Sequence, residues 1–210
     1  MNCYKVFYKE KWIELVENQN GKVLQGMKLE YENGQSFDYA IKLLDTREDL
    51  KSIKIEYSNA DLLFAKLLKY FKNINAAGGL VENEEGKVLV IFRNGRWDLP
   101  KGKLKRFEDE KEGAIREVME ECGVDNLKVT DEFSATFHLY ELKGKIVIKK
   151  TWWFLMKCDG EQKLIPQIEE GITKVEWFEK QRLDEVLGNT YSSIVQVIEE
   201  YKRRFMGTEN

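Results

Sequence analysis

Three glutamates, Glu117, Glu120 and Glu121, lie close together in a segment whose sequence predicts a helix. From Glu108 to Cys122 there is no proline, and apolar residues recur at roughly helical intervals. Residues three and four positions apart share a helix face, so the three side chains are expected to project together. Adjacent carboxylates repel each other unless a cation lies between them, and oxygen ligands favour a hard divalent ion. The cluster therefore predicts a site for Mg2+, with Mn2+ as the alternative.

Metal ions at such a site support one class of reaction, the attack of water on a phosphorus atom. Two ions a few ångströms apart can hold the attacking and leaving oxygens and offset charge on the phosphoryl group. The alternative is that the glutamates form the solvated face of a surface helix, as runs of charge usually do. The flanking residues favour the site. Arg116 precedes the cluster, Glu108 lies upstream, and Gly102 lies at a turn that a phosphate could approach closely.

The whole segment from Gly102 to Val124 follows the pattern G-x5-E-x7-R-E-U-x-E-E-x-G-U, where U is aliphatic. This pattern resembles the signature of the Nudix hydrolases, enzymes that cleave a diphosphate bond in a nucleoside diphosphate linked to another group. The stretch WDLPKG, which ends at Gly102, is also common just before that signature. The resemblance implies an α/β fold, an α/β/α sandwich with a mixed sheet, and a hydrolase acting on phosphoanhydride bonds.

The resemblance also implies the metal ligands. They would be the carboxylates of Glu117, Glu120 and Glu121 and the backbone carbonyl of Gly102.

Catalytic roles follow from the same resemblance for Glu117, Glu121, Arg116 and Glu108. Arg116 would orient Glu117 through an ion pair, and Glu108 would assist near the metal. The general base differs between branches of the family and stays open.

A further acid from a later loop often completes such sites. The candidates are Glu169 and Glu170, just before the predicted strand ITKVEWF.

Basic residues near the signature suggest how a substrate with several phosphates would be held. The predicted contacts are Arg93, Lys101, Lys103 and Lys150, together with Tyr140. More cations surround them, namely Arg96, Lys105, Arg106, Lys143, Lys145 and Lys149. Ordinary solubilising lysines are an equally good explanation of this charge.

Aromatic residues after the signature offer a place for a base to stack. The candidates are Tyr140, Trp152 and Trp153, although alternate aromatic residues in a strand more often belong to a core. His138 is the only histidine in the sequence, and it is expected to pack or lie at the surface rather than catalyse. Both the aromatic residues and the cations resemble the branch that hydrolyses dinucleoside polyphosphates and diphosphoinositol polyphosphates.

The preferred function is therefore Mg2+-dependent hydrolysis of a dinucleoside polyphosphate or a related polyphosphorylated small molecule. One alternative is a housecleaning pyrophosphatase for oxidised or non-standard nucleoside triphosphates, and another is pyrophosphohydrolysis of an RNA 5′ end. A non-catalytic ligand sensor of the same family belongs to a different functional class. The intact signature and the lack of a basic recognition helix argue against it.

The composition limits which binding partners and which cellular location we expect. Acids and bases nearly balance at a net charge of −3, so general nucleic-acid binding is not expected. Three scattered cysteines, Cys3, Cys122 and Cys158, suggest reduced thiols in a cytosol. The first residues lack the apolar stretch of a signal peptide, and no run approaches the length of a membrane span. We expect a cytoplasmic protein without membrane association, and a homodimer is left open.

The resemblance covers only part of the chain. We predict a Nudix domain at 74–210 that ends in an amphipathic helix, TYSSIVQVIEEYKRRF, with Thr190 as its cap.

Residues 1–73 are predicted to form a small α/β module of unknown function. Its expected strands are CYKVFY, KWIELVEN, KVLQGMKLEY, SFDYAIKLL and SIKIEY. Turns are expected at Asn20-Gly21 and Asn33-Gly34, and a helix over NADLLFAKLLKYFK with Asn59 as its cap.

Overall fold

The computed structural model describes residues 3–18 and 27–207. The chain divides into two compact units. One contains Met1–Ile74 and Phe137–Lys149, and the other contains Asn75–Thr136 and Lys150–Asn210. The predicted division into 1–73 and 74–210 places residues 137–149 in the second part, whereas here they belong to the first unit. None of the helices in the described ranges is long and apolar enough to span a membrane.

The first unit is a sheet with two helices. Its strands are β1 (Cys3–Tyr8), β2 (Lys11–Glu17), β3 (Met27–Glu30) and β4 (Ser52–Tyr57), and its helices are α1 (Gln35–Thr46) and α2 (Ala60–Tyr70). Strand β1 pairs with β2 in antiparallel fashion and with residues 137–139 in parallel fashion. Strand β4 lies between β2 and β3 and is parallel to both.

Helix α1 corrects one prediction, because SFDYAIKLL forms a helix and not a strand. Its buried residues are Phe37, Ala40, Ile41 and Leu44, which have the spacing of one helix face. The predicted turn at Asn33-Gly34 leads into this helix, and the Asn33 side chain accepts a hydrogen bond from the amide of Gln35 at 2.9 Å.

The other predictions for this unit mostly agree with the structure. Helix α2 is confirmed, and the Asn59 side chain accepts from the amide of Leu62 at 2.9 Å. CYKVFY and SIKIEY form strands as expected, and KWIELVEN forms one as far as Glu17. Strand β3 covers Met27–Glu30 of the predicted strand KVLQGMKLEY, whose residues 22–26 lie outside the described ranges. The predicted turn at Asn20-Gly21 lies outside the described residues.

The remaining elements belong mainly to the second unit, although residues 72–74 and 137–149 among them belong to the first. In chain order they are β5 (Lys72–Asn83), β6 (Val88–Arg93), β7 (Arg96–Asp98), β8 (Lys101–Lys103), α3 (Glu110–Cys122), β9 (Leu127–Leu142), β10 (Lys145–Cys158), a short 3-10 helix (Ile168–Glu170), β11 (Ile172–Phe178), a second 3-10 helix (Lys180–Arg182), α4 (Leu183–Leu187), α5 (Ser192–Tyr201) and a π-helical turn (Lys202–Met206). The strand order is β11-β6-β5-β10-β9, while β7 pairs with β6 and β8 with β5.

Alternating side chains cover the two faces of this sheet. On one face the strands pack with α5, through Leu80, Val88, Val90, Trp153 and Leu155. On the other face they pack with α3, through Val81, Leu89, Ile91, Phe154 and Met156. This period of two means that each central strand is buried on both faces. The predicted α/β/α sandwich with a mixed sheet is confirmed in this unit.

The predicted cap of the last helix is wrong. Tyr191 is the residue before α5, and it makes no capping hydrogen bond with its side chain. The Thr190 hydroxyl instead donates to the carbonyl oxygen of Trp97 at 2.7 Å. The hydroxyl thus joins this segment to β7, and α5 begins one residue later than a cap at Thr190 would place it.

Candidate active site

Helix α3 presents the glutamates because its two ends are fixed and one face is apolar. The Asp109 carboxylate accepts from the amides of Lys111 at 2.9 Å and Glu112 at 3.2 Å, which satisfies donors that the first helical turn leaves free. Gly123 ends the helix with a φ of 73°, in the left-handed region that glycine adopts without strain. Ala114, Val118 and Cys122 are buried against the sheet. The remaining face carries the charged residues.

Strand β8 brings the backbone of Gly102 directly against this face. Gly102 pairs with Ala77 of β5, and the carboxylate of Glu117 lies over it. A Cβ atom built on Gly102 would lie 1.8 Å from Oε2 of Glu117, closer than any real contact allows. Only glycine therefore leaves room for the carboxylate at this point of β8.

Arg116 joins three carboxylates into one network. Its Nε and Nη2 donate to the two oxygens of Glu108 at 2.6 and 2.8 Å, a bidentate pair. Its Nη1 donates to Glu117 at 2.6 Å and to Glu120 at 3.1 Å. The ion pair between Arg116 and Glu117 that the resemblance implied is thus present. One guanidinium holds the side chains of Glu108, Glu117 and Glu120 in a fixed arrangement.

The pKa values in this network follow from the same contacts. The hydrogen bonds from Arg116 lower the pKa of the Glu108 carboxyl to about 2. The pKa of Arg116 itself is raised, chiefly by Glu108. For Glu117, burial raises the pKa and outweighs the opposing effect of the guanidinium. Glu108 is therefore a permanent anion, whereas Glu117 binds a proton more readily than an exposed glutamate.

Glu121 points away from Arg116 and into the protein. Its carboxylate is only 1% exposed and accepts from the backbone amide of Lys101 at 2.9 Å and from Nη1 of Arg93 at 3.3 Å. Burial raises its pKa to about 7, against the opposing effect of Lys101 and Arg93. Below this carboxylate, buried Asp98 forms an ion pair with the ammonium of Lys101 and lies 3.6 Å from Nε of Arg93. The four residues form a buried charged cluster at the base of the site.

The residues suit a hard divalent cation by their chemistry. The donor set contains only oxygen, from the carboxylates of Glu117 and Glu120 and the backbone of Gly102. The point where Glu117 and Glu120 meet is occupied by Nη1 of Arg116, which is itself a positive charge. Within residues 3–18 and 27–207, no three acidic, histidine or cysteine side chains converge closely enough to form a complete metal site. The structure thus brings together Glu117 and Glu120 at Arg116, whereas the carboxylate of Glu121 accepts from Lys101 and Arg93, and the predicted part of Glu121 in metal binding and catalysis stays a prediction.

The predicted substrate contacts fall into different environments. Lys103 is exposed beside Gly102. The ammonium of Lys150 lies 4.0 Å from the centre of the Trp152 ring, and burial lowers its pKa. Arg93 and Lys101 direct their charges towards Asp98 and Glu121, so their contact with substrate stays a prediction.

The other predicted residues belong to different parts of the chain. Tyr140 belongs to the first unit, in the segment Phe137–Lys149. Trp153 is a core residue whose indole donates to the Thr136 hydroxyl at 2.9 Å, which corrects its proposed role in stacking. Glu169 and Glu170 are exposed in the short 3-10 helix before β11, and their part in metal binding stays a prediction. The chain just before them donates from the amide of Gln167 to the carbonyl of Glu121 at 3.1 Å.

Asp98 is the site residue that the sequence analysis missed. It lies three residues before Lys101 in the stretch WDLPKG, and an aspartate between tryptophan and leucine is an unusual place for an exposed charge. That apolar context is the signal that could have identified a buried ion pair.

Comparisons with curated proteins find relatives that act on RNA according to their names. The chain is 29% identical over 124 residues to an m7GpppN-mRNA hydrolase from Caenorhabditis elegans, covering 57% of this chain and 15% of that protein. It is 30% identical over 100 residues to an RNA pyrophosphohydrolase from Pelagibacter ubique, covering 41% of this chain and 63% of that protein. The match to a yeast m7GpppN-mRNA hydrolase covers 12% of its length. The chain therefore spans less than a sixth of its decapping relatives.

Solved structures share the fold of the second unit. An Ap4A hydrolase from C. elegans superimposes with a TM-score of 0.51 at 22% identity, covering 64% of this chain and 98% of that one. A NUDIX hydrolase from Nitrosomonas europaea has the same TM-score and identity, and it covers 65% of this chain and 74% of its own. At these identities the likeness establishes the fold alone.

A family model described as the NUDIX domain matches residues 72–200, which is more than half of the 210-residue chain. The match includes β8, α3 and every residue of the Arg116 network and of the buried cluster beneath it. The chain belongs to the Nudix family.

Proposed function

We propose that this chain is a Mg2+-dependent pyrophosphohydrolase that cleaves a phosphoanhydride bond by water attack. Its proposed substrate is a dinucleoside polyphosphate or a related polyphosphorylated molecule. The observation that carries the proposal is that Glu117 and Glu120 meet at one nitrogen of Arg116 while the Glu117 carboxylate lies against Gly102. A structural role alone does not require two carboxylates and a glycine backbone to converge at the surface of a helix.

Each protein group has a definite task in this proposal. Glu117, Glu120 and the carbonyl of Gly102 would hold Mg2+, which when bound supplies charge for the phosphoryl oxygens and lowers the pKa of water. Arg116 positions both carboxylates, and Glu108 fixes the plane of its guanidinium through two hydrogen bonds. Asp98, Lys101 and Arg93 hold Glu121, and through it the end of α3, at a constant distance from β8.

The substrate class rests on the charge beside the site. Lys103, Lys105 and Arg106 are exposed on the segment that runs from the last residue of β8 towards α3, and Lys105 lies 3.9 Å from Glu120. Three cations next to an acidic metal site can bind the phosphates that extend beyond the cleaved bond. A polyphosphate chain would gain more from them than a single diphosphate does. A cytoplasmic location is part of the same proposal.

RNA with a 5′ polyphosphate is the second candidate, and the relatives favour it. An m7GpppN-mRNA hydrolase and an RNA pyrophosphohydrolase share 29% and 30% identity with this chain over the aligned residues. Both names describe a phosphoanhydride at the end of an RNA chain. Competition between diadenosine tetraphosphate and a 5′-triphosphorylated RNA for the same enzyme would show which is hydrolysed faster.

Replacing the two exposed-side ligands tests the proposal. In Glu117→Gln and Glu120→Gln we expect turnover of diadenosine tetraphosphate with Mg2+ to fall by about two orders of magnitude or more, since a neutral amide binds the cation weakly. Thermal unfolding should change little in both. Glu112→Gln is the matched control, because Glu112 is exposed on the same helix outside the network. Near-normal turnover in Glu117→Gln and Glu120→Gln would refute the assignment.

A further inference from the structure

One exposed aromatic side chain lies beside the site without a packing role. Phe107 is 92% exposed, the highest exposure among the large apolar residues in the described part of the chain. It precedes Glu108 in the segment between β8 and α3. Burial of a phenylalanine ring is strongly favourable, so a ring left in water forgoes stabilisation that the fold could have used. The position therefore calls for a reason other than packing.

The backbone at Phe107 adds a second cost. The amide of Glu108 donates to the carbonyl of Lys105 at 3.2 Å, which closes a turn with Phe107 as its third residue. Phe107 has a φ of +65°, in the left-handed region where glycine is favoured and a bulky side chain is strained. A glycine would adopt this φ without strain and would expose no apolar side chain. The phenylalanine therefore lies at a position that is unfavourable on two independent grounds, its exposure and its backbone conformation.

Hydrogen bonds connect the turn that carries Phe107 to helix α3. The Glu108 carboxylate accepts from the amide of Lys105 at 2.7 Å and at the same time holds Arg116, which contacts Glu117 and Glu120. The turn that carries Phe107 is thereby connected to the proposed metal ligands through one carboxylate and one guanidinium. These hydrogen bonds hold the backbone at Phe107 relative to the site, while the ring itself lies in water.

Charge surrounds the ring on its own segment. The Arg106 guanidinium lies 4.8 Å from the centre of the Phe107 ring, and Lys103 and Lys105 are exposed on the same segment. An aromatic face beside several cations matches a nucleotide, whose base stacks while its phosphates pair with the cations. Neither a bare polyphosphate nor a purely apolar ligand would use both features.

From these observations we propose that Phe107, together with Arg106, is a stacking platform for a nucleobase of the substrate, which makes it a specificity-determining residue. This inference rests on the proposed function, because the base must belong to a molecule whose phosphates reach the glutamates. It differs from the sequence-based candidates Trp153, which is buried, and Tyr140, which belongs to the first unit.

Three substitutions of Phe107 separate the effect of the aromatic ring from the effect of the backbone conformation. Phe107→Gly removes the ring and suits the positive φ, Phe107→Leu keeps an apolar side chain without a ring, and Phe107→Trp keeps an aromatic face. The test substrates are diadenosine tetraphosphate and inorganic tetrapolyphosphate, which carry the same number of phosphates with and without a base. With the glycine and leucine variants we expect the KM for the dinucleotide to rise roughly five- to hundredfold. The tryptophan variant should stay near the wild type.

The base-free substrate provides the control within the same experiment. The KM for tetrapolyphosphate should be unchanged in all three variants, and kcat should be unchanged for both substrates. Equal effects on both substrates, or no effect on either, would overturn the stacking role while leaving the hydrolase proposal intact. Binding of the variants to anionic phosphatidylserine vesicles provides a further check. Vesicle binding that depends on Phe107, with unchanged nucleotide KM, would reject the base platform in favour of a membrane contact.

A binding measurement keeps the two proposals distinguishable if the wild type cleaves nothing. Equilibrium dialysis with a non-hydrolysable methylene analogue of diadenosine tetraphosphate reports binding without chemistry. Weaker binding by Phe107→Gly than by Phe107→Trp would support the platform even though the hydrolase proposal had failed. Equal binding by both variants, or no binding by the wild type, would overturn it.

Discussion

Arg116 shows how one residue can organise a whole site. Four of its hydrogen bonds end on three carboxylates, and a bidentate pair to Glu108 prevents the guanidinium from rotating. The sequence pattern predicted that Glu117, Glu120 and Glu121 project together, and the structure brings Glu117 and Glu120 to Arg116. The pattern could not predict that Glu121 turns inward, because i,i+3 and i,i+4 spacing fixes a side of the helix but not the depth at which each residue meets the sheet. Asp98 was missed for a different reason, because its apolar neighbours were not recognised as a sign of a buried ion pair with Lys101.

The buried position of Glu121 gives a pH dependence that can be measured without metal. Burial raises the pKa of Glu121 in the folded protein to about 7 from an ordinary 4.5. The folded state therefore holds a proton that the unfolded state has lost, and the free energy of unfolding falls as the pH rises between those two values. The total fall in the free energy of unfolding is on the order of 3 kcal/mol. It does not grow further once the pH exceeds the folded-state pKa.

In Glu121→Gln the free energy of unfolding should not show this fall with rising pH. A glutamine does not titrate, but it can still accept from the Lys101 amide. Urea unfolding of both proteins in EDTA, from about pH 4.5 to about pH 7.5, would report the difference. We expect the variant to gain stability relative to the wild type across this range. Parallel pH profiles would show that Glu121 is ionised throughout.

At the scale of elements, most predictions succeeded where a local pattern was strong. Helices α2 and α3, and strands β1 and β4, follow from caps and periodicity. Helix α1 was mistaken for a strand because SFDYAIKLL contains two aromatic residues and one β-branched residue, yet its buried residues repeat at helical spacing. The cap of α5 was predicted wrongly, because the helix begins only at Ser192 and Thr190 donates to Trp97, a residue 93 positions away. Long-range partners of this kind leave no trace in the neighbouring sequence.

Helix α3 depends on its first turn to present the glutamates. Asp109 accepts from two amides, so Asp109→Ala should lower the free energy of unfolding by about 1 kcal/mol. Asp109→Asn, which keeps the accepting oxygen, should lose only a few tenths of a kcal/mol. Urea unfolding of the two variants makes the comparison. An alanine variant as stable as the wild type would mean that the cap contributes nothing to α3.

On the scale of the molecule, the chain cannot be divided at a single position. The family match begins at residue 72, yet residues 137–149 belong to the first compact unit. Within that unit, β1 pairs in parallel with 137–139, so that Val6 faces Phe137 and Tyr8 faces Leu139. No local pattern reveals a pairing between residues about 130 positions apart in sequence, and the linear division predicted from the resemblance therefore missed it.

A fragment of residues 74–210 tests this arrangement. Leu139 and Ile148 are buried in the core of the first unit, so the fragment would expose them to water. We expect it to self-associate in size-exclusion chromatography with light scattering, whereas the full chain gives a single sharp species.

Leu139→Thr with Ile148→Thr should restore a monodisperse fragment. The same pair should destabilise the full chain by several kcal/mol, about 2 or more per residue. A monodisperse unsubstituted fragment would contradict this account.

The central claim is that water attacks a phosphoanhydride at the Arg116 network, and hydrolysis in 18O-labelled water tests it most directly. Purified protein with Mg2+ would be given diadenosine tetraphosphate, and the products would be analysed by mass spectrometry. We predict rapid cleavage with the label on the phosphate of one product only, and loss of both cleavage and label in Glu120→Gln. No cleavage by the wild type, of this substrate or of a 5′-triphosphorylated RNA, would contradict the account.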